Sequence, residues 1–388
     1  MTQPAGAGAS AGIGATVDQL AAAIIALYAA AERQLLASMA AAARHGFTDT
    51  AAAAQISMLA QMQRAAERVA TALRLHTPPL TQRLVVEAAT RGDAAAQALL
   101  RRIVAGNPEL ARIYLAPVAG VPGNLAAANA IAVDLADRLD ATTYRIVRFA
   151  DDAYRAATAE AATRLVLGRE NLTPSTAAQL AWRELTRSGV TGYTDTRGRR
   201  WNLATYVEMA TRTAVQRAYN DAHDARMTAA GIEWFTVSHD GRPCKLCKPW
   251  EGQVLGDQPG PTTAPNAITG APVAFTVKAT LEQARAAGLQ HPNCKHVLLP
   301  YLPGVTKTQP SAAWTAADEQ AYAETQRLRA LEREVRAGKR EAAAALDDLS
   351  RQRANRRVRA AQARIRAHVD EHDLNRRRRR EQLHLGNH

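Results

Sequence analysis

Three cysteines and two histidines in the middle of the chain are the residues best suited to bind a metal ion. Cys244 and Cys247 form a C-x-x-C pair, and His291-Pro-Asn-Cys294-Lys-His296 follows later in the chain. Tetrahedral zinc takes four soft or borderline ligands, and two ligands spaced by two residues can come from one turn. The cysteines would supply three ligands, and either His291 or His296 the fourth. Such a set leaves no position for water, so the spacing predicts a structural zinc site.

Two other interpretations of these residues stay open at this point. The cysteines and histidines could be small core residues beside a proline-rich turn, with no metal bound. The C-x-x-C could instead be a redox pair, although no thioredoxin-like βαβ pattern surrounds it and Pro243 and Pro249 flank a loop. Three cysteines cannot pair completely, which argues against a disulfide framework.

An alternative catalytic set lies next to the C-x-x-C. His239 and Asp240 directly precede it, and together with His296 they could serve a metal-dependent DNA nuclease. A turn in which Asp240 hydrogen-bonds the local backbone is the simpler interpretation of that segment. The sequence contains no H-E-x-x-H or phosphate-binding G-x-x-x-x-G-K motif. We therefore assign no catalytic residue and expect a protein that is not an enzyme.

The elements that must position these residues are predicted to be mostly helices. Aromatic residues make up only 5% of the 388 residues and alanine is abundant, which favours long helices over a sheet-based core. The predicted fold is mainly α, with long helices at both ends and a small α+β module that resembles a zinc knuckle. In chain order, the predicted segments are a flexible terminus (1–16), an α-helical domain (17–167), a connecting region (168–204), the α+β module (205–304) and a basic helical tail (305–388).

Local patterns give more detailed expectations for several of these segments. Residues 233–238 are rich in strand-forming side chains, and residues 297–301 could pair with them. Residues 256–274 are rich in Gly, Pro and Thr and are predicted to form a loop. Earlier in the chain, a helix over about 50–75 is predicted to end at Thr77-Pro78-Pro79, because proline lacks the backbone donor that a helix needs.

The amino-terminal region has neither of two common targeting patterns. No Lys or Arg precedes the first apolar run, so a secretory signal is not expected. The longest apolar run, from Leu20 to Ala31, is bounded by Asp18 and Glu32 and is shorter than the ~20 residues that cross a bilayer. We therefore expect no membrane anchor and synthesis in a reducing cytoplasm.

The carboxyl-terminal segment is strongly basic. Residues 351–388 contain twelve arginines and four acids, which is +8 of the formal net charge of +13. Arginine binds phosphate through two parallel hydrogen bonds and stays charged, so this segment could follow double-stranded DNA without reading its sequence. A solvated helix face, or a face that docks on an acidic protein, is the alternative. The predicted DNA-binding residues are the consecutive arginines Arg376, Arg377, Arg378, Arg379 and Arg380.

Several short motifs over about residues 205–304 occur in an order typical of one protein group. They are Arg212-Thr-Ala-Val-Gln-Arg-Ala-Tyr-Asn220, Ser238-His-Asp-Gly-Arg-Pro-Cys-Lys-Leu-Cys247, Trp250-Glu-Gly-Gln-Val-Leu255, His291-Pro-Asn-Cys-Lys-His296 and Pro300-Tyr-Leu-Pro-Gly304. This set resembles the phage Mu F-like and "minor capsid protein 2" families of tailed-phage minor head proteins. Tyr322–Arg336 is also similar to the helix that follows the motifs in minor capsid relatives.

The resemblance implies a structural role in a virus particle. It implies a minor head protein in the head interior or at the portal vertex, made in the host cytoplasm and associated with the portal or major capsid protein. Packaged double-stranded DNA would be the neighbour of the arginine-rich tail. The metal-dependent nuclease and a host DNA-binding protein unrelated to phages are the alternatives.

Overall fold

The computed structural model describes residues 7–46, 52–120, 123, 125–166, 180, 182–187, 189–194, 200–240, 242–292 and 294–383. Predictions for residues 1–6 and for much of the connecting region 168–204 therefore fall outside the described residues. The first helix begins at Ala7, inside the terminus that the sequence predicted to be flexible.

Helices make up 69% of the structure and lie at both ends of the chain, which confirms the predicted mainly α fold. Local caps mark some helix starts, because the side chains of Asp347 and Thr280 accept hydrogen bonds from backbone amides three residues later. The helices are α1 (Ala7–Gly46), α2 (Ala52–Ile103), α3 (Pro108–Tyr114), α4 (Ala126–Val166), α5 (182–187), α6 (Leu203–Ala229), α7 (Leu281–Ala286), α8 (Ala316–Ala343) and α9 (Asp348–Glu371).

Helix α2 continues through Pro78 and Pro79, so the helix end predicted there was wrong. The two prolines remove two backbone donors to carbonyls one turn earlier, including that of Leu75. Leu75 is 68% exposed, so this side of the helix faces solvent. The preceding Thr77 is buried, and its hydroxyl donates to the hydroxyl of Tyr28 at 3.2 Å. Packing on the buried side and water on the exposed side let the helix continue.

The strands form a two-stranded and a five-stranded sheet in the described residues. They are β1 (Thr191–Thr194), β2 (Arg200–Asn202), β3 (Phe235–Val237), β4 (Val254–Leu255), β5 (Gly260–Pro265), β6 (Pro272–Ala279) and β7 (Leu298–Pro300). Strands β1 and β2 form an antiparallel pair. The larger sheet has the order β5-β6-β4-β3-β7, in which β4 and β6 are parallel and the other neighbours are antiparallel.

One predicted strand pairing is confirmed and one predicted loop was wrong. Strands β3 and β7 pair from Phe235 opposite Pro300 to Val237 opposite Leu298. The segment 256–274, however, contains β5 and the start of β6, which pair in register along the whole of β5. Strand β5 lies at the edge of the sheet, where proline is tolerated because one side of the strand needs no backbone donor.

The chain divides into two compact units, and each unit is assembled from three separate stretches. The first unit contains Met1–Ala21, Thr81–Leu135 and Met209–Ala323, and the second contains Ala22–Leu80, Ala136–Glu208 and Glu324–His388. The five consecutive segments drawn from composition stay a prediction. All the predicted metal ligands belong to the first unit, and the arginine run belongs to the second.

In the first unit, helices α2 and α6 approach closely at Gly92, where a Cβ atom would lie 2.1 Å from the carbonyl oxygen of Tyr219. Beside this contact, Arg226 Nε donates to Asp93 Oδ1 at 2.6 Å. A separate apolar cluster joins the sheet to α7 and supports the loops described below. Its buried members are Val237, Leu255, Ala279, Ala284, Leu289 and Leu298.

In the second unit, buried hydroxyl groups join α1 to α2 and to α4. The hydroxyl of Tyr28 donates to the carbonyl of Leu139 at 3.3 Å and accepts from Thr77. Helices α8 and α9 pack against each other through an apolar cluster. Its buried members are Leu328, Leu331, Val335, Ala361 and Ile365.

Helix α1 contains a segment, Ile13–Arg44, that is long and apolar enough to cross a membrane. Alanines extend it beyond the run considered in the sequence. Half of its most apolar window is buried in the protein, and the core helix of a soluble protein passes the same test. Within the first unit, Asp18 pairs with Arg212 at 2.6 Å, and within the second, Glu32 accepts a hydrogen bond from the Val190 amide at 3.1 Å. The absence of a membrane anchor stays a prediction.

Candidate metal centre

The predicted ligands lie where two loops meet at the paired strands β3 and β7. The loop after β3 carries the C-x-x-C, and the loop before β7 carries the two histidines and Cys294. Ser238 and Val297 join the loops, because the Ser238 amide donates to the Val297 carbonyl at 3.0 Å and the Val297 amide donates to the Ser238 hydroxyl at 3.1 Å. In an antiparallel pair, the end of one strand lies beside the start of the other. Residues that are 47 positions apart therefore meet.

The structure brings together all five predicted side chains. They form two overlapping groups that could each hold a metal ion, with the ligand atoms of each group within 4.8 Å of one another. The first group is Cys244, Cys247 and His291, and the second is Cys247, Cys294 and His296. His291 Nε2 lies 2.9 Å from Cys244 Sγ, and His296 Nδ1 lies 3.5 Å from Cys294 Sγ. Cys247 belongs to both groups and links them.

The sulfur atoms of Cys247 and Cys294 are spaced like two ligands of one metal ion and not like the atoms of a disulfide bond. The Sγ atoms of Cys247 and Cys294 lie 3.5 Å apart, whereas the atoms of a disulfide bond are about 2.05 Å apart. Two thiolates bound to one tetrahedral zinc, each at about 2.3 Å, are separated by roughly 3.8 Å. All three cysteines are free thiols. The Cys247–Cys294 spacing fits two ligands of one metal ion and is too long for a disulfide bond between them.

Each histidine has one ring nitrogen toward a sulfur and the other toward an oxygen acceptor. His291 Nδ1 lies 2.8 Å from the carbonyl oxygen of Pro292, and its Nε2 points to Cys244. His296 Nε2 lies 2.8 Å from Glu251 Oε1, and its Nδ1 points to Cys294. Metal-bound histidines usually donate their second N–H to a carboxylate or backbone carbonyl, which fixes the tautomer and the ring orientation. Both histidines are therefore oriented as a metal ligand would be.

The thiols and imidazoles strongly change one another's protonation. Hydrogen bonds from Cys247 lower the pKa of Cys244 and of Cys294 to about 4, because they stabilise the thiolates against burial. The same contacts raise the pKa of Cys247, whose proton is held between the two neighbouring sulfurs. Burial acts to lower the pKa of His296, but hydrogen bonds to Cys294 and Glu251 outweigh it and raise that pKa to about 9. The cluster thus places thiolates next to protonated imidazoles. A divalent cation that bound here would displace these protons and balance the thiolate charge.

Glu251 is a buried carboxylate that contacts this cluster through His296. Its Oε1 atom accepts hydrogen bonds from the Asp240 amide at 2.8 Å and from His296, and its Oε2 atom accepts one from the Ser311 hydroxyl at 2.7 Å. Burial opposes ionisation of Glu251, but these hydrogen bonds prevail and hold its pKa below the usual value. Sequence reasoning gave Glu251 and Ser311 no role. The position of Glu251 inside the Trp250–Leu255 motif was the available signal.

The alternative nuclease residues also lie close to Glu251, but their polar atoms are engaged in local contacts. Asp240 Oδ2 pairs with Lys295 at 3.2 Å, and Asp240 Oδ1 accepts from the Arg242 amide at 3.3 Å, as expected for a turn. His239 Nδ1 lies 3.6 Å from Glu251 Oε2. His296 is buried at 3% exposure. This arrangement supports the loop and offers no pair of open carboxylates for a catalytic cation.

The predicted DNA-binding arginines fall into two groups in the second unit. Arg376 makes two hydrogen bonds to the buried Glu381, at 2.6 and 2.8 Å, and Arg380 lies 4.0 Å from Glu332. Arg377, Arg378 and Arg379 are exposed. The two ends of the run are therefore turned toward acidic residues of the protein, and its three central residues are exposed.

The fold and the site together describe a mainly helical protein with a small mixed sheet, whose connecting loops carry a Cys/His cluster. A family model described as phage minor capsid protein 2 matches residues 15–370, nearly the whole chain. The chain belongs to this family of phage minor capsid proteins. The match extends well beyond the 205–304 region that the sequence motifs covered and includes the amino-terminal helices. No curated protein and no solved structure matches the chain.

Proposed function

We propose that this protein is a non-enzymatic structural component of a tailed-phage head, located in the head interior or at the portal vertex. The observation that carries the proposal is the family match over residues 15–370. Its proposed partners are the portal protein or the major capsid protein. The test is crosslinking mass spectrometry on purified heads of the phage that encodes the chain. Crosslinks to portal or capsid support the proposal, and absence of the protein from purified heads would exclude it.

We propose that the Cys/His cluster binds a structural zinc ion through Cys244, Cys247 and Cys294 together with one of the two histidines. Three thiolate donors and an imidazole form a closed tetrahedral set, which zinc favours and which leaves no coordination position for a substrate. His296 is supported as the fourth ligand by its burial and by Glu251, and His291 is supported by its short distance to Cys244.

Metal stoichiometry tests the zinc proposal and the nuclease alternative together. We expect one zinc per chain by elemental analysis, and a loss of zinc with the variant Cys247→Ser, which removes the ligand shared by both groups. Purified protein with magnesium should leave plasmid DNA intact. Cleavage that disappears in His239→Ala but not in an exposed-residue control such as Glu282→Gln would favour the nuclease instead.

We propose that the basic carboxyl-terminal segment contacts packaged double-stranded DNA through the run Arg376–Arg380. Support comes from the exposure of Arg377, Arg378 and Arg379 and from the net charge of the segment. Because phosphate contacts release bound counterions, this binding should weaken steeply as the salt concentration rises. A host DNA-binding role is the alternative, and portal and capsid genes beside the coding sequence would exclude it.

A further inference from the structure

Helix α9 presents a second arginine surface that is separate from the run at 376–380. It consists of Arg353, Arg356, Arg359 and Arg366, all of them exposed, and we name it the α9 basic face. We propose that the α9 basic face is the principal surface with which this protein binds the phosphate backbone of double-stranded DNA, without reading base sequence.

The helical geometry places these four residues away from the protein interior. Helix α9 packs on α8 through Ala354, Ala361 and Ile365. At about 100° per residue, the four arginines fall within an arc of roughly 140°, and this arc lies opposite the buried residues. At about 1.5 Å per residue, they extend over roughly 20 Å of helix, enough to follow several successive phosphates.

The arginines of α9 differ in whether a carboxylate neutralises them, and the difference follows the side of the helix on which they lie. Arginines nearer to α8 or to the helix start are neutralised by carboxylates, whereas the four arginines of the α9 basic face have no hydrogen-bond or ion-pair partner within the described part of the chain. The neutralised pairs are Arg351–Asp348 at 2.9 Å, Arg357–Glu341 at 2.9 Å and Arg364–Glu334 at 2.5 Å. The exposed Asp370 is an acidic residue on the outward side near the helix end. A row of guanidinium groups without neutralising carboxylates, on a helix held by packing, is suited to bind an anionic polymer.

Duplex DNA fits this surface better than single-stranded nucleic acid. The sequence of α9 contains no Phe, Tyr or Trp, so it offers no side chain on which an unpaired base could stack. A helix that packs on α8 keeps its arginines at regular intervals, which suits the regular phosphates of a duplex. The inference rests on the proposed function for the presence of DNA next to the protein, but it assigns the main contact to different residues.

Binding of a short mixed-sequence duplex to the full-length protein tests the inference, with fluorescence anisotropy measured over a series of salt concentrations. The test variant is R353Q/R356Q/R359Q/R366Q, and the matched control is R64Q/R68Q/R83Q/R102Q, at four exposed arginines of helix α2. A third variant, R377Q/R378Q/R379Q, removes the exposed residues of the arginine run. We expect the test variant to bind at least ~10-fold more weakly near 0.15 M salt and to reduce the slope of log K against log salt by roughly 3 to 4. The control should retain the affinity and slope, and the arginine-run variant should lose less of both than the test variant.

Each other outcome has a definite meaning. If R377Q/R378Q/R379Q loses binding and the α9 variant does not, the inference is overturned while DNA contact by the arginine run stands. If the unsubstituted protein binds no duplex, both the inference and the proposed DNA contact are overturned, and an acidic protein becomes the partner to seek. Circular dichroism must show equal helix content, and the half-variants R353Q/R356Q and R359Q/R366Q, each expected to lose about half of the slope change, replace the quadruple variant if it fails to fold.

Discussion

At the residue scale, the types of the candidate ligands could be predicted from the sequence, but the residues that orient them could not. The C-x-x-C and the later Cys/His motif identified all five side chains because each type carries its own ligand chemistry. Glu251 was missed because a lone glutamate after a tryptophan has many possible roles. It acquires one through burial and through its hydrogen bond to His296, and both depend on the folded chain.

Replacement of Glu251 by glutamine is expected to weaken zinc binding. The variant keeps the size of the side chain but removes the negative charge that holds His296, and loss of such an outer partner usually costs about 10–100-fold in metal affinity. Competition with a chromophoric chelator measures the affinity. Glu282→Gln, an exposed substitution on α7, should leave it unchanged. Equal affinities for both variants would show that Glu251 does not position a ligand.

Replacement of Tyr28 by phenylalanine is expected to lower the free energy of unfolding by about 1–2 kcal/mol, because Thr77 and the Leu139 carbonyl each lose a buried partner. Urea denaturation measures the change. Tyr144→Phe, at a side chain that is 64% exposed, is the control and should have little effect. A similar loss for both variants would contradict a role for the buried hydroxyl.

The same tyrosine predicts an alkaline limit of stability. Burial raises the pKa of Tyr28 to about 12, whereas a tyrosine in an unfolded chain ionises near 10. The folded state therefore binds this proton more tightly, and the stabilisation is complete below about pH 10 and declines as the pH rises toward 12. Denaturation midpoints across this range should fall more for the natural protein than for Tyr28→Phe. Parallel curves for the two proteins would argue against this source of alkaline sensitivity.

At the element scale, the sequence predicted the helices and the β3–β7 pair but not the full length of α2 or the β5–β6 pair. A long segment with apolar residues at helical spacing usually forms a helix whatever surrounds it, so this pattern predicted the helices well. Proline gave the wrong signal twice: at Pro78-Pro79, packing of the neighbouring Thr77 keeps the helix together, and in β5 the edge position tolerates it. Both exceptions depend on the surroundings of a segment, which its own residues do not specify.

The close approach of α2 and α6 predicts that Gly92→Ala is strongly destabilising. The added methyl group would lie 2.1 Å from the Tyr219 carbonyl oxygen, so the helices must separate, at a cost of about 1–3 kcal/mol or more. Gly14→Ala is the matched control, because its Cβ would meet only Lys295 Cδ at 4.0 Å, and alanine favours a helix by about 1 kcal/mol. Thermal denaturation should show opposite shifts. A stabilised Gly92→Ala variant would contradict the close helix contact.

At the scale of the whole molecule, family membership covers residues 15–370, whereas the motifs recognised in the sequence lay in about one hundred residues of the sheet module. The match includes the amino-terminal helices, in which no short motif was recognised from the sequence. The two units were not foreseen either, because each combines stretches that are far apart in the chain. Segment composition describes neighbours in sequence, and it cannot indicate which distant helices share a core.

Removal of the proposed zinc ion is expected to affect the two units unequally. A structural zinc contributes directly to folding free energy, so a chelator should increase amide hydrogen exchange in β3, β7 and their loops. The α8–α9 helix pair has its own apolar cluster and should keep its protection. Hydrogen-exchange mass spectrometry with and without chelator makes the comparison, and re-addition of zinc should restore the pattern. Uniform exchange changes, or none, would contradict a local structural ion.

The way the two units share the chain has a consequence for synthesis on the ribosome. The first unit has all of its residues once Ala323 has been translated, but the second still lacks Glu324–His388, which include α9 and part of α8. Residues Ala22–Leu80 of the second unit are translated well before Glu324–His388, the last stretch of the same unit. A nascent chain stalled just after Ala323 would therefore still lack the Ala344 carbonyl, to which the indole of the buried Trp182 donates at 2.7 Å in the folded second unit.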